Sequence, residues 1–168
     1  PESLSAQPTP SSIPRLEPTE QYPYHRWNYP SPQRFYLALK RKGYLVNEEE
    51  IDNIISIHNT VNENTWREVL RWELNFHWNE CQDIRLEKFQ GRPQDLSPKA
   101  WMRMAVGFKR PFDRHDWVVN RCGERVRYII DFYEGQSKED LSSVHLDVRP
   151  DVSTWSNVRD RMRMFIRK

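Results

Sequence analysis

The sequence has only two cysteines, Cys81 and Cys122. They form no CxxC pair, no zinc-ligand spacing and no CxxCH, which excludes a zinc module and a c-type cytochrome. One disulfide and two unrelated thiols stay equally open, so the pair does not settle a redox compartment. No apolar run approaches the ~18 residues a membrane-spanning helix needs. No secretory signal is visible, and the first residue is proline rather than methionine. A processed or trimmed N-terminus that has lost a targeting segment is therefore open. There is no Gly-rich phosphate loop, nucleophile elbow or two-histidine zinc helix, and no internal repeat. The net charge of +2 is small for 168 residues and argues against a chain built mainly to grip nucleic acid.

What the chain does have is aromatic and charged residues, 12% and 30%, with seven tryptophans. That content predicts a large aromatic core or an aromatic-lined pocket. The length suits one domain that buries its own core. Residues 1–24 hold Pro1, Pro8, Pro10, Pro14, Pro18 and Pro23 and few apolar groups. They read as a disordered, proline-rich leader, with a single domain over 25–168. Removal of the leader is expected to leave ligand binding intact.

Ser31-Pro32 opens a helix with Phe35, Tyr36 and Leu39 on its buried face, stopped by Gly43. Asn47 to Phe76 reads as two amphipathic helices around a polar elbow, Asn59 to Asn64, with Asn47 and Glu50 as a capping pair. Residues 77–98 look irregular, and a short helix follows over Lys99–Val106. Trp117–Arg121 and Glu124–Glu134 read as a hairpin turning at Cys122-Gly123, and Val144–Arg149 as a third strand. A helix begins at Trp155 with Val158, Met162, Phe165 and Ile166 on one side and arginines elsewhere. Its apolar strip either packs on the domain's own sheet or lies on an anionic membrane surface. Helices first and antiparallel strands later give an α+β fold: N-terminal helices packed with a small antiparallel sheet and a C-terminal helix.

Ile51, Ile54 and Ile55 fall at i, i+3 and i+4, and the next position on that face is His58. An imidazole in line with isoleucines suits a flat, apolar, iron-bearing ligand. A boundary histidine bonded to a nearby carbonyl fits the same spacing. His25, His77 and His145 have no partner at ligand spacing and read as surface residues. Pro111 to Trp117 packs charged groups between Phe112 and Trp117 just before a strand, which makes either a site-like loop or a salt-bridged turn. Arg114 and Arg121 are suited to holding a carboxylate, such as a propionate, bidentately.

WNYPSPQRFYLALKRKGY, IISIHNTVNENTWREVLRWE, GRPQDLSPKA, PFDRHDWVVNRCGERVRYIIDFYEG and LDVRP occur in this order between about Trp27 and Pro150. Together they resemble the mitochondrial cytochrome c-type haem lyases, or holocytochrome c synthases. Neither cysteine is followed by proline, so the Cys-Pro haem-regulatory motifs that family members often carry in the N-terminal region are missing or were cut away. The resemblance implies an enzyme that binds ferrous haem b and apocytochrome c or c1. It would join them by thioether bonds between the CxxCH cysteines and the haem vinyl groups. It also implies the mitochondrial intermembrane space, peripheral to the inner membrane. His58 becomes the axial ligand of the haem iron, with Asn59 beside it in the same IHN segment. Catalysis would be by positioning, with His58 on one side of the iron and the substrate's CxxCH histidine on the other. Glu63 is expected to stabilise or orient the elbow. Trp27, Trp66 and Trp117 are candidates to line the haem, and His115 is a candidate base or thiol activator; each is also open to a structural role. The alternative reading is a non-catalytic binding module for RNA or a protein partner.

Overall fold

A computed structural model of the chain describes residues 4–17, 25–135 and 144–167. The fold is α+β, but the chain divides into two compact units, Pro1–Asn64 and Thr65–Lys168.

In the first unit β1, Thr9–Pro14, pairs antiparallel with β2, Arg26–Tyr29. The prolines forbid a helix there but are compatible with a two-stranded ribbon that has open edges. Alternation does the rest: Ser11 and Ile13 are buried while Ser12 is exposed. Ser11 Oγ donates to the Trp27 carbonyl at 2.7 Å. Residues 9–14 of the expected leader are thus a strand, whereas 1–3 and 18–24 lie outside the described residues. Helix α1, Pro32–Arg41, starts as expected, with Ser31 capping the Arg34 amide. Gly43 follows at φ 85°, the left-handed conformation that glycine takes most easily after a helix.

Helix α2, Ile51–Phe76, is one continuous element of 26 residues, so the expected elbow does not exist. The run Asn59 to Asn64 contains no glycine or proline, and the propensity cost of Asn and Thr is only a few tenths of a kcal/mol per residue, about 0.7 at most. Thr60 Oγ1 also bonds back to the Ser56 carbonyl at 2.8 Å. Asn47 precedes a short 3-10 turn, Glu48–Glu50, and makes no side-chain cap, so the expected capping pair is not formed. Ile51 and Ile55 join Tyr36 in a buried cluster that Phe35, Leu39 and Val46 extend.

The second unit takes the C-terminal part of α2 and a four-stranded antiparallel sheet in the order β3-β4-β5-β6. These strands are Ile84–Gly91, Asp113–Arg121, Glu124–Glu134 and Val144–Pro150. Strand β3 replaces the irregular stretch expected there; Ile84 and Leu86 are buried in alternation and pair with β4. The β4–β5 hairpin turns at Cys122 and Gly123, both at positive φ. Helices α3, Pro98–Ala105, and α4, Trp155–Ile166, are capped by Ser97 and Thr154.

Buried polar contacts fasten the helices of this unit. Glu73 of α2 holds Arg121 and the Tyr128 hydroxyl at 2.7–3.0 Å. Ser97, the cap of α3, meets Asp131 and Arg149. His77, just past α2, sits between Glu80 and Asp160 of α4, at 2.7 Å from each, and is buried rather than on the surface. Cys81 and Cys122 form a disulfide. Among the described residues no helix is long and apolar enough to cross a membrane.

Candidate functional site

The candidate residues divide between the units: Trp27, His58, Asn59 and Glu63 in the first, Trp66, Arg114, His115, Trp117 and Arg121 in the second. In the first unit His58, Asn59 and Glu63 lie on α2, and Trp27 on β2. His58 is exposed where the Ile51–Ile55 face reaches solvent, and its ring stands edge-on to Phe35 at 5.4 Å. Its Nδ1 lies 3.2 Å from the side-chain amide of Asn62, one turn on. An amide can be turned to present oxygen to an Nδ1–H, which makes Nε2 the nitrogen that would meet a metal. Asn59, half-buried, keeps its Oδ1 buried without a partner among the described residues.

Glu63 lies mid-helix, so it cannot cap or orient an elbow. Its carboxylate instead accepts from the Ser12 amide at 3.0 Å, the Ser12 hydroxyl and the Tyr29 hydroxyl at 2.9 Å. Both strands of the ribbon are thereby tied to the helix that carries His58. Burial, then the Glu63 hydrogen bond, push the Tyr29 phenol far above its ordinary 10.0, so it remains a donor. Trp27 is half-buried beneath the Arg15 guanidinium, 4.3 Å from the ring centroid.

The second unit holds the remaining candidates. Trp66 and Trp117 are only 3% and 2% exposed, which makes them core rings rather than the wall of an open pocket. Arg121, expected to hold a propionate, is buried on Glu73 and also meets Glu124. Burial opposes its charge, but Glu73 outweighs that and holds its pKa above the usual arginine value. Arg114, also expected to hold a propionate, is buried on Asp116 at 2.9–3.2 Å. Both guanidiniums therefore already hold carboxylates of their own chain. His115 bonds Asp113 through Nε2 at 3.1 Å and packs edge-on to Phe132 at 4.9 Å.

Sequence reasoning missed Asn62, Tyr29 and Ser12. Asn62 had a signal, since i and i+4 on a helix are neighbours. Tyr29 and Ser12 had none, lying 34 and 51 positions from Glu63.

In a comparison of whole sequences one family model, "Cytochrome c/c1 heme lyase", matches residues 1–165. The chain belongs to this family. Its sequence is 44% identical over 161 residues to the holocytochrome c-type synthase of Bos taurus, covering 92% of this chain and 56% of the relative. The human holocytochrome c-type synthase is 42% identical over 171 residues, covering 98% and 62%. The holocytochrome-c synthase of Saccharomyces cerevisiae is 37% identical over 188 residues, covering 97% and 68%. The chain thus spans less than two thirds of the length of the bovine and human relatives. No solved structure matches it.

Proposed function

We propose that this haem lyase chain joins ferrous haem b to the CxxCH cysteines of an apocytochrome c or c1. In each new thioether a thiol S–H adds across a vinyl C=C. Sulfur bonds one carbon, hydrogen goes to the other, and nothing leaves. The protein's task would be orientation: His58 would hold the haem through its iron, and the substrate's CxxCH histidine would help to set both thiols beside the vinyl groups. Asn62 is the positioning residue for His58, because a ligating histidine is normally oriented through its second ring nitrogen. Asn59 offers a buried oxygen that a bound group would satisfy.

The observation that carries this reading is His58: an exposed imidazole at the end of an apolar helical face, beside Phe35, with Nδ1 engaged by Asn62. The location implied is the mitochondrial intermembrane space, peripheral to the inner membrane. The Cys81–Cys122 disulfide supports an oxidising compartment of this kind. No observation favours the alternative of a non-catalytic module for RNA or a protein partner, and the relatives named above are synthases.

Haem titration of the wild type and of His58→Ala tests the reading, followed by thioether formation on apocytochrome c. The variant is expected to lose about tenfold or more in haem affinity, on the scale of lost metal-ligand interactions, with an unchanged circular dichroism spectrum. Unchanged haem content and Soret band in His58→Ala would overturn the ligand assignment. A wild type that binds haem without forming thioethers would overturn the reaction.

A further inference from the structure

Helix α4 is mounted the opposite way round from most helices at a protein surface. Its buried side chains are Asn157 and Asp160, whereas Trp155, Met162, Phe165 and Ile166 are 77%, 59%, 82% and 80% exposed. The orientation is pinned from beneath by polar contacts. Asn157 Nδ2 donates to Asp151 Oδ1 at 2.8 Å, and His77 Nε2 meets Asp160 Oδ2 at 2.7 Å. At about 100° per residue the four exposed apolar groups fall within about a third of the helix circumference. Half-buried Val158 lies in the same stripe. Arg159, Arg163 and Arg167 recur every fourth residue along one edge of it, and all three are exposed.

Arg161 flanks the other edge and lines a cleft of about 250 Å³ whose apolar wall includes Trp72, Met164 and Phe165. The other cations of this cleft are paired: Arg71 with Glu68, Lys99 with Asp147, Arg149 with Asp131. Among the described residues no carboxylate lies within ion-pair distance of Arg161, whose guanidinium reaches only the Pro150 carbonyl, at 3.5 Å. Burial, then the neighbouring charge of Arg149, lower the Arg161 pKa, a situation that an incoming anion relieves.

We propose that α4 docks the protein on an anionic phospholipid bilayer. Its apolar stripe enters the acyl boundary, the Arg159–Arg163–Arg167 edge lies on headgroup phosphates, and Arg161 takes a phosphate at the mouth of its cleft. An apolar stripe flanked by cations is the form of a helix that lies in a membrane interface. A second copy fits the face poorly, because a two-fold contact through α4 brings like-charged arginine edges together. This inference rests on α4 alone and not on the haem reading.

The experiment is co-sedimentation of the whole chain with vesicles of phosphatidylcholine, with and without a minority of phosphatidylglycerol. Binding is expected only with phosphatidylglycerol, and it weakens as salt rises. Replacing Arg159, Arg163 and Arg167 together by Gln should weaken it about a hundredfold, at roughly fivefold for each charge near the surface. Phe165→Ser with Ile166→Ser should abolish it. Circular dichroism and haem titration of both variants should match wild type. Equal sedimentation of wild type and either variant, equal binding to both vesicles, or binding to neither would overturn the proposal. A concentration-dependent dimer in light scattering that the Phe165→Ser, Ile166→Ser variant dissociates would overturn it in favour of a second copy. Loss of haem binding in His58→Ala with vesicle binding unchanged would separate the two readings.

Discussion

The ligation proposed for His58 through Nε2 calls for a group to hold Nδ1, and the group beside Nδ1 on α2 is the amide of Asn62. This contact makes a prediction that a purely structural asparagine would not. Asn62→Leu should reduce haem affinity about tenfold, since outer partners of ligating histidines typically contribute 10- to 100-fold. Leucine is the better helix former, so thermal stability should hold or rise. Asn62→Asp restores an acceptor for Nδ1–H and should bring the affinity back. Haem titration read beside a thermal melt checks both variants. If Leu and Asp behave alike, Asn62 does not orient His58. At this scale the sequence was informative where contact is local: the register Ile51, Ile54, Ile55, His58 is visible along one helix face, and Asn62 stands a single turn away. It was silent about Arg114 and Arg121, because a guanidinium suited to a propionate is equally suited to Asp116 or Glu73.

Among the elements, the ribbon of β1 and β2 departs most from expectation. A proline-dense stretch with few apolar residues reads as a tether, yet buried Ile13 and the Ser12–Glu63 contacts make it part of the unit that carries His58. Deletion of residues 1–24 should therefore cost stability, about 1.5–3 kcal/mol for the Ile13 side chain alone. It should also weaken haem binding, because Glu63 loses Ser12. Denaturant unfolding and haem titration of the shortened chain measure the two effects; wild-type values for both would return the segment to a dispensable leader. Strand β3 was missed for a related reason. Ile84 and Leu86 alternate over only a few positions, and pairing with β4 decides that so short a pattern becomes a strand. The elbow was over-read: a polar run breaks an amphipathic pattern without breaking a helix.

For the molecule as a whole, stability should depend on redox state and pH in defined ways. The Cys81–Cys122 disulfide has a sequence separation of 41. Chain-entropy reasoning for such a loop gives about 4 kcal/mol at most, so reduction or a double Cys→Ala variant should cost about 2–4 kcal/mol. Denaturant unfolding with and without reductant measures it, and coincident curves would refute the contribution. Asp147 and Asp151 both lie below their ordinary 3.8. Burial raises each, but Arg149 and Lys99 outweigh it for Asp147. Ser153, Arg127 and Asn157 outweigh it for Asp151. Stability from these groups is present above pH 3.8 and is lost as pH falls through their lower folded values. Burial, then Glu73, raise the Tyr128 phenol above 10.0, so its contribution is complete below that pH and lost as pH rises beyond it. The melting midpoint should fall on both flanks, and Tyr128→Phe should remove part of the alkaline loss. A wild-type midpoint that holds steady below pH 3.8 would refute the acid assignment.

By itself the sequence determined what depends on neighbours along the chain. Ser31 and Ser97 cap helices because the amides they accept from lie three residues on. Cys122-Gly123 turns a hairpin because the paired strands adjoin it. His58 ends an apolar face because helical period places it there, and the ordered motifs around it mark the family. The tertiary structure alone decided which charges are already satisfied. Arg121 finds Glu73 across 48 positions, and His77 finds Asp160 across 83. It also decided that α4 buries Asn157 and Asp160 and turns Phe165 and Ile166 outward. The physical reason is that an amphipathic pattern tells which residues share a side of a helix. Which side meets the protein is set by the groups waiting beneath it, here Asp151 and His77.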